Sequence, residues 1–344
     1  PRAQVPRMTT FQGWASTKAG ETLIPFTWEP TELGPDEVEI VVSHCGICHS
    51  DIHLIDNGWN TSVYPLVPGH EIVGTIAATG SAVKHLVVGQ RVGVGWQRSA
   101  CLTCELCLDG QDNLCARQTA TCVGHHGGFA ERVRTDGRYA FAIPDELDGA
   151  AAAPLLCGGT TVYAPIRRHH IDANSSVGVI GIGGLGHIAV LMLRAFGCEI
   201  TAFSSSASKR EEALAMGAHH FVPSTEPREI HKHGGRFHLV LSTVHARLDW
   251  TTYLKTLRPN GTLCLVGSPP GIMPIAAASL FNGQKSITAS EIGDRATVAE
   301  MLRFAARHRI APIIERMPLA DVNAAIARVR RNEARYRVVL DVPG

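Results

Sequence analysis

The stretch VGVIGIGGLGHIAVLMLRAFG, residues 177–197, decides the fold. It begins with the apolar run VGVI, passes through GIGGLG at 181–186 and continues into the apolar HIAVLML. A G-x-G-x-x-G turn that leaves a strand and opens a helix is the setting in which this motif acquires meaning. Gly181 permits the tight turn, Gly183 lets backbone approach a diphosphate, and Gly186 allows strand and helix to pack closely. Gly184 and Leu185 complete the loop. A diphosphate would rest on the helix N-terminus, where free amides and the macrodipole favour negative charge. A ligand-free glycine turn is the plain alternative, and the surrounding alternation of elements argues against it.

Downstream, EITAFS, KREEALAMGA, HLVLSTV and GTLCLVGS keep alternating strand-like and helix-like stretches, which predicts a parallel sheet with helices on both faces. Upstream of about Ala150 the chain is different: VEIVVSHC (38–45), EIVGTIAATG (71–80) and RVGVGW (91–96) are short β segments punctuated by Gly and Pro. After about Ser286 the helix-like ATVAEMLRFAARHRI and DVNAAIARVRR precede a closing strand, RYRVVLDV. The expected organisation is α/β. A β-rich catalytic domain spans 1–153 and 287–344, and a Rossmann-type, doubly wound cofactor domain spans 154–286.

Length and composition agree with two domains. At 344 residues the chain exceeds the size of most single cores, and 45 % hydrophobic with 18 % charged residues is ordinary for a globular protein. A net charge of +1 with no basic run gives no footing for nucleic acid. The N-terminal PRAQVPRMTTFQGW has no apolar stretch of a signal peptide. The one weakly charged run, Val177 to Ala195, is interrupted by glycines and contains Arg194, so no membrane span is expected. A cytoplasmic protein is expected, and ten cysteines there read as metal ligands, reactive thiols or small core residues.

The nucleotide type is decided about 20 residues beyond the glycine loop, where NAD binders carry an acid for the ribose diol. Here EITAFSSSASKR puts Ser204, Ser205 and Ser206 in that place, with Lys209 and Arg210 following. Hydroxyls and positive charge suit a 2′-phosphate, so NADP is favoured; a solvated turn at a helix start is the alternative.

CLTCELCLDGQDNLC carries Cys101, Cys104, Cys107 and Cys115. Four thiolates so close can enclose one zinc tetrahedrally, and a filled sulfur shell leaves no position for substrate. That metal is expected to be structural. A second set is scattered: Cys48 in GICHSDIH, His70 and Glu71 in PGHEIVG, and Cys157 in APLLCGG. Each alone would pass for a core residue.

Together, GICHSD, PGHE, the four-cysteine loop, LLCGGTTVY, GIGGLG, SSSASKREEAL and ARYRVVLDV resemble the zinc-containing medium-chain alcohol dehydrogenases, with the cinnamyl-alcohol-dehydrogenase-like branch the nearest. The resemblance covers nearly the whole chain and implies a GroES-like catalytic domain. It implies a catalytic zinc on Cys48, His70 and Cys157, with Glu71 as an occasional alternative ligand and Asp51 orienting His70. Three protein ligands leave an open fourth position where an alcohol loses its proton at neutral pH. Ser50 matches the hydroxyl that takes this proton, and His53 the group that passes it to solvent. His49 and Arg337 match contacts to the cofactor diphosphate. Cys45 is read as packing.

Trp59 and Trp96 match substrate-pocket positions, with ordinary core tryptophans as the alternative. Glu291, in SITASEIGDR, falls where the cinnamyl branch carries an aromatic residue, which argues against an aromatic allylic substrate. It would either favour a polar or hydroxylated substrate or face solvent. The implied partners are a small alcohol, aldehyde or ketone, two zinc ions and NADP(H). Family members form dimers or tetramers, and a homodimer is expected here. Two other classes compete. A zinc-free quinone or enoyl reductase would lack both cysteine sets, and a zinc-ribbon binding protein would show a basic face and no second ligand set. A yeast-type enzyme preferring NAD remains the nearer alternative.

Overall fold

A computed structural model describes residues 10–343 of the chain, so most of the stretch read for a leader lies outside the described residues. The chain divides into two compact units, one running to Cys157 and resuming at Ile313, the other spanning Gly158–Pro312.

In the first unit a seven-stranded sheet runs in the order Ile314–Pro318, Arg337–Asp341, Glu37–Ile47, Glu71–Thr79, Arg91–Val94, Ala140–Ala142, with Arg132–Asp136 also pairing with Glu37–Ile47. Every pairing is antiparallel except the first, Ile314–Pro318 on Arg337–Asp341. Val38, Ile40, Val42, Ile72, Ile76, Val92, Val338 and Leu340 alternate inward and share one core with the helix Val322–Arg330. The long central strand Glu37–Ile47 organises the site. Its end pairs Gly46 with Glu71 on one side, and Ile47 with Val338 on the other. Cys48, Glu71 and Arg337 therefore start from neighbouring positions at one end of three adjacent strands.

In the second unit six parallel strands lie in the order His220–Pro223, Glu199–Ser204, Ser176–Ile180, Phe237–Ser242, Leu257–Leu265, Ser286–Ala289. In chain order this is 3-2-1-4-5-6, the doubly wound arrangement, with the strand order reversing beside Ser176–Ile180. Gly181 follows that strand with φ +88°, and a Cβ there would lie 2.3 Å from Val244 Cγ1. A Cβ on Gly186 would lie 1.8 Å from the Gly181 carbonyl oxygen, whereas one on Gly183 would meet nothing within 4 Å. The tight turn thus falls on Gly181 and the close strand–helix contact on Gly186, while the face at Gly183 is open.

The unit boundaries differ from 153/154 and 286/287. Leu155 and Leu156 are buried in the first unit, where Leu156 fills the space over Gly93. Helix Arg295–Arg307 stacks Phe304 on Phe196 at 4.6 Å, and Tyr163 donates to Glu300 at 2.9 Å, so residues 287–312 group with the cofactor unit. No helix among the described residues is long and apolar enough to cross a membrane.

Because the Gly186 contact is with backbone, it has no side chain to yield. Gly186→Ala is expected to destabilise the protein by about 1–3 kcal/mol, as overpacking does. Chemical denaturation measures this, and an unchanged midpoint would contradict the close-packing role.

Candidate metal centre and cofactor loop

The first unit's site is built around Asp51, in the helix His49–Ile55 and fully buried. Its Oδ2 accepts the Cys48 amide at 2.9 Å, while Oδ1 accepts the Gly69 amide at 3.0 Å and His70 Nδ1 at 2.8 Å. One carboxylate thus ties the strand end at Cys48 to the segment carrying His70. With Nδ1 donating to Asp51, His70 turns a basic Nε2 inward, and that buried nitrogen has no protein partner. The ligand atoms of Cys48, His70, Glu71 and Cys157 all lie within 4.8 Å of one another. Two sulfurs, an unpartnered imidazole nitrogen and an unpartnered Glu71 Oε2 form a donor set suited to zinc.

The electrostatics follow from burial. The Cys48 thiol is held well below its usual value by hydrogen bonding from Cys157 and then by His70, while Cys157 is correspondingly raised. Burial opposes charge on His70, yet Asp51 outweighs it and raises the imidazole. Burial pushes Glu71 up to about 7, against the pull of Arg337. The Arg337 guanidinium is itself buried and donates to Glu71 Oε1. So Arg337, matched by resemblance to a cofactor diphosphate, is engaged on Glu71 in this structure. Gly46, paired with Glu71, leaves the space for its carboxylate: a Cβ there would sit 2.1 Å from Glu71 Oε2.

An aromatic series flanks the ligands. Trp96 meets His70 edge-to-face at 5.0 Å, Trp59 meets Trp96 at 5.8 Å, and His53 stacks on Trp59 at 5.0 Å. Trp59 is 44 % exposed, which disposes of its reading as an ordinary core residue. Ser50 Oγ lies 3.7 Å from Cys48 Sγ, and His53 stands one helical turn further on. His49 is exposed.

Cys101, Cys104, Cys107 and Cys115 form the second cluster. Their closest recorded S···S separations are 3.5–3.9 Å, bracketing the ~3.8 Å of a tetrahedron with 2.3 Å zinc–sulfur bonds and far beyond a disulfide. All ten cysteines are free. The Thr103 amide draws the Cys101 thiol down to about 5, and burial lifts Cys107 to about 12. Asp112 anchors the lobe, accepting from Tyr139 at 2.9 Å through its carboxylate and from Gln97 at 2.8 Å through its carbonyl.

Cys122 is a residue that sequence reasoning missed. It is fully buried and within 4.8 Å of Asp51 and His70 ligand atoms. Its thiol is raised by burial, and it lies outside any ligand spacing in the sequence, so nothing there distinguishes it.

In the second unit Ser204 ends the strand Glu199–Ser204. It is buried, its Oγ accepting the Ser206 amide at 3.2 Å, while Ser205 is exposed and Ser206 Oγ bonds Ser208 at 2.8 Å. Lys209 Nζ donates to the Ile182 carbonyl of the glycine loop at 2.5 Å, and the exposed Arg210 lies over the Phe221 ring at 5.2 Å. Glu291 is exposed.

A doubly wound sheet with this loop, in one chain with a β-rich unit bearing two thiol-rich donor clusters, defines a zinc-binding dehydrogenase. Comparison with known proteins agrees. Residues 34–145 match the alcohol dehydrogenase GroES-like domain and residues 184–307 the zinc-binding dehydrogenase domain. The chain is 48 % identical over 329 residues to the aldehyde reductase AdhA of Synechocystis, covering 96 % of this chain and 98 % of that one. A cinnamyl alcohol dehydrogenase from Sorghum bicolor superposes with a TM-score of 0.93 at 36 % identity, covering 97 % and 98 % of the two chains. The protein named CAD from Helicobacter pylori, solved with NADP(H), gives 0.89 at 32 % identity, covering 96 % and 98 %. The chain belongs to the zinc-binding alcohol dehydrogenase family.

Asp51→Asn preserves shape but presents an amide where Asp51 now accepts three donors. Leaving a buried donor unpaired costs about 1–3 kcal/mol, so stability to denaturant is expected to fall by that much. An unchanged midpoint would show that Asp51 does not hold the two segments.

Proposed function

We propose that this protein is an NADP-linked alcohol dehydrogenase and aldehyde reductase, interconverting primary or secondary alcohols with aldehydes or ketones, with two zinc ions per chain. The carrying observation is the buried convergence of Cys48, His70, Glu71 and Cys157, with His70 Nε2 and Glu71 Oε2 left without protein partners. Cys48, His70 and Cys157 would hold the catalytic zinc, with Glu71 as the alternative ligand. Zinc bound there would supply Lewis-acid charge to a substrate oxygen, and the chemistry a bound NADP(H) would supply is hydride transfer.

The chain's own residues do the rest. Asp51 fixes the His70 tautomer, so that Nε2 is the basic nitrogen. Ser50 Oγ takes the alcohol's proton, and the His53 ring, one turn along the same helix, passes it to solvent. Trp59 and Trp96 form an apolar wall that excludes water. Cys101, Cys104, Cys107 and Cys115 hold a structural zinc. In the cofactor unit, Gly181 to Gly186 receive the diphosphate, to which the family resemblance also assigns His49 and Arg337. Ser204, Ser205, Ser206, Lys209 and Arg210 select NADP, supported by the lack of a carboxylate at the end of Glu199–Ser204.

A cytoplasmic homodimer is the assembly we assign. The edge strand Ser286–Ala289 and the exposed Ile272 and Phe281, 88 % and 84 % accessible, support a second copy as partner.

Two experiments test this reading. The first ranks variants by turnover and zinc content in an NADPH absorbance assay over a panel of aldehydes. Cys157→Ala is expected to abolish turnover and lose one zinc. Ser50→Ala should keep both zincs and lose about 10²–10⁴-fold, the usual range for a missing proton-transfer group, and a His53 substitution should cost least because water can stand in at the solvent end. Activity in Cys157→Ala would sink the ligand assignment.

The second concerns the nucleotide. Ser204→Asp still offers an acceptor to the Ser206 amide but adds a charge that repels a 2′-phosphate. The kcat/KM preference should reverse from NADPH to NADH. A native enzyme that already prefers NADH would refute NADP selection and favour the yeast-type alternative.

A further inference from the structure

The carbonyls of the glycine loop are bound by side chains outside the motif. The Ile180 and Gly181 carbonyls accept Thr243 Oγ1 at 3.0 and 2.9 Å. The Ile182 carbonyl accepts Lys209 Nζ at 2.5 Å, and the Gly183 carbonyl accepts both the amide and the ring Nδ1 of His187, each at 3.0 Å. Thr243 lies just past the strand Phe237–Ser242, and its amide also bonds the Ile180 carbonyl at 3.0 Å. His187 is fully buried in the first turn of helix Gly186–Phe196. Four consecutive carbonyls are therefore engaged by three donor side chains.

In a planar trans peptide the N–H points opposite to the C=O. With the carbonyls of Gly181, Ile182 and Gly183 drawn to Thr243, Lys209 and His187, the amides of Ile182, Gly183 and Gly184 face away from those donors. A loop carbonyl turned the other way would oppose an anion with its own partial negative charge. The glycines also make room for the anchor. A Cβ on Gly181 or on Gly186 would each lie 3.2 Å from Thr243 Oγ1, so the hydroxyl is lodged where two motif glycines omit a side chain.

We propose that Thr243 and His187 are positioning residues for the nucleotide. They hold the loop's peptide planes so that its amides meet the diphosphate before any ligand arrives. Lys209 serves two ends, anchoring Ile182 and carrying charge toward the adenosine phosphate. This rests on the dinucleotide reading of the loop but not on NADP over NAD.

The test compares ligands that do and do not use the loop. Binding of NADPH and NADH is followed by fluorescence, and adenosine 2′-monophosphate, which has no diphosphate, by calorimetry. Thr243→Val fills the same space without the donor. It should weaken both dinucleotides about tenfold, the weight of one to two lost hydrogen bonds, and leave adenosine 2′-monophosphate unchanged. Thr243→Ser, which keeps the hydroxyl, should restore affinity. His187→Leu should repeat the dinucleotide loss independently, while Lys209→Met should weaken NADPH and adenosine 2′-monophosphate together.

Unchanged dinucleotide binding in both Thr243→Val and His187→Leu would overturn the proposal, as would a parallel loss of adenosine 2′-monophosphate in these two variants. A native protein that prefers NADH, with variants that still lose dinucleotide affinity, would refute NADP selection while upholding the anchors. A native protein that binds neither dinucleotide would remove the basis of both.

Discussion

The first unit's site depends on a buried carboxylate that is fully engaged by donors. Asp51 takes the amides of Cys48 and Gly69 and the Nδ1 of His70. An isolated buried charge is expensive, and paired donors are what make it tolerable. The seven-residue helix His49–Ile55 that carries Asp51 is too short to persist by its own propensity. It is held instead by its apolar contacts and by this carboxylate, which closes the helix start onto Cys48. The same bonds set the His70 tautomer. A single side chain thus settles backbone position, ring orientation and which nitrogen is basic.

Around this anchor the unit accumulates groups whose charges burial disfavours. Glu71 is lifted to about 7, the Cys157 thiol is raised, and the Arg337 guanidinium is buried on Glu71. The strand register explains how they meet. Glu71 and Arg337 are 266 residues apart in sequence, yet each begins a strand flanking the end of Glu37–Ile47. Gly46 between them leaves the space that the Glu71 carboxylate occupies. The sheet gives this cluster its precision, since backbone pairing on both sides fixes where each side chain starts.

This contrast governs how much the sequence reveals. The Rossmann unit is legible because its signal is local: apolar strands alternate with amphipathic helices, and six residues encode the loop. The Cys101–Cys115 cluster is legible for the same reason, its ligands lying within one short segment. Cys48, His70 and Cys157 carry no such spacing, and only the resemblance to a family brings them together. Cys122 belongs to no ligand spacing in the sequence, and the fold alone puts it beside His70 and Asp51. The boundary at 286/287 shifts to 312/313 for a related reason. Helix Arg295–Arg307 displays an apolar face, but amphipathicity does not specify which core receives it, and the stacking of Phe304 on Phe196 does.

The two units handle opposite charges by opposite means. In the first, sulfur, imidazole nitrogen and carboxylate oxygen converge in a region of low water access, where every unpartnered acceptor raises the attraction for a cation. His70 Nε2 and Glu71 Oε2 are such acceptors, and a metal ion is the partner that satisfies several at once. In the second, the acceptors of residues 180–183 are all taken by Thr243, Lys209 and His187, so the loop's remaining hydrogen-bonding capacity is that of donors. Donors without protein acceptors attract an anion for the same electrostatic reason that acceptors without donors attract a cation. Preorganisation in each case consists of satisfying the wrong-signed groups internally, so that binding requires little rearrangement of the protein.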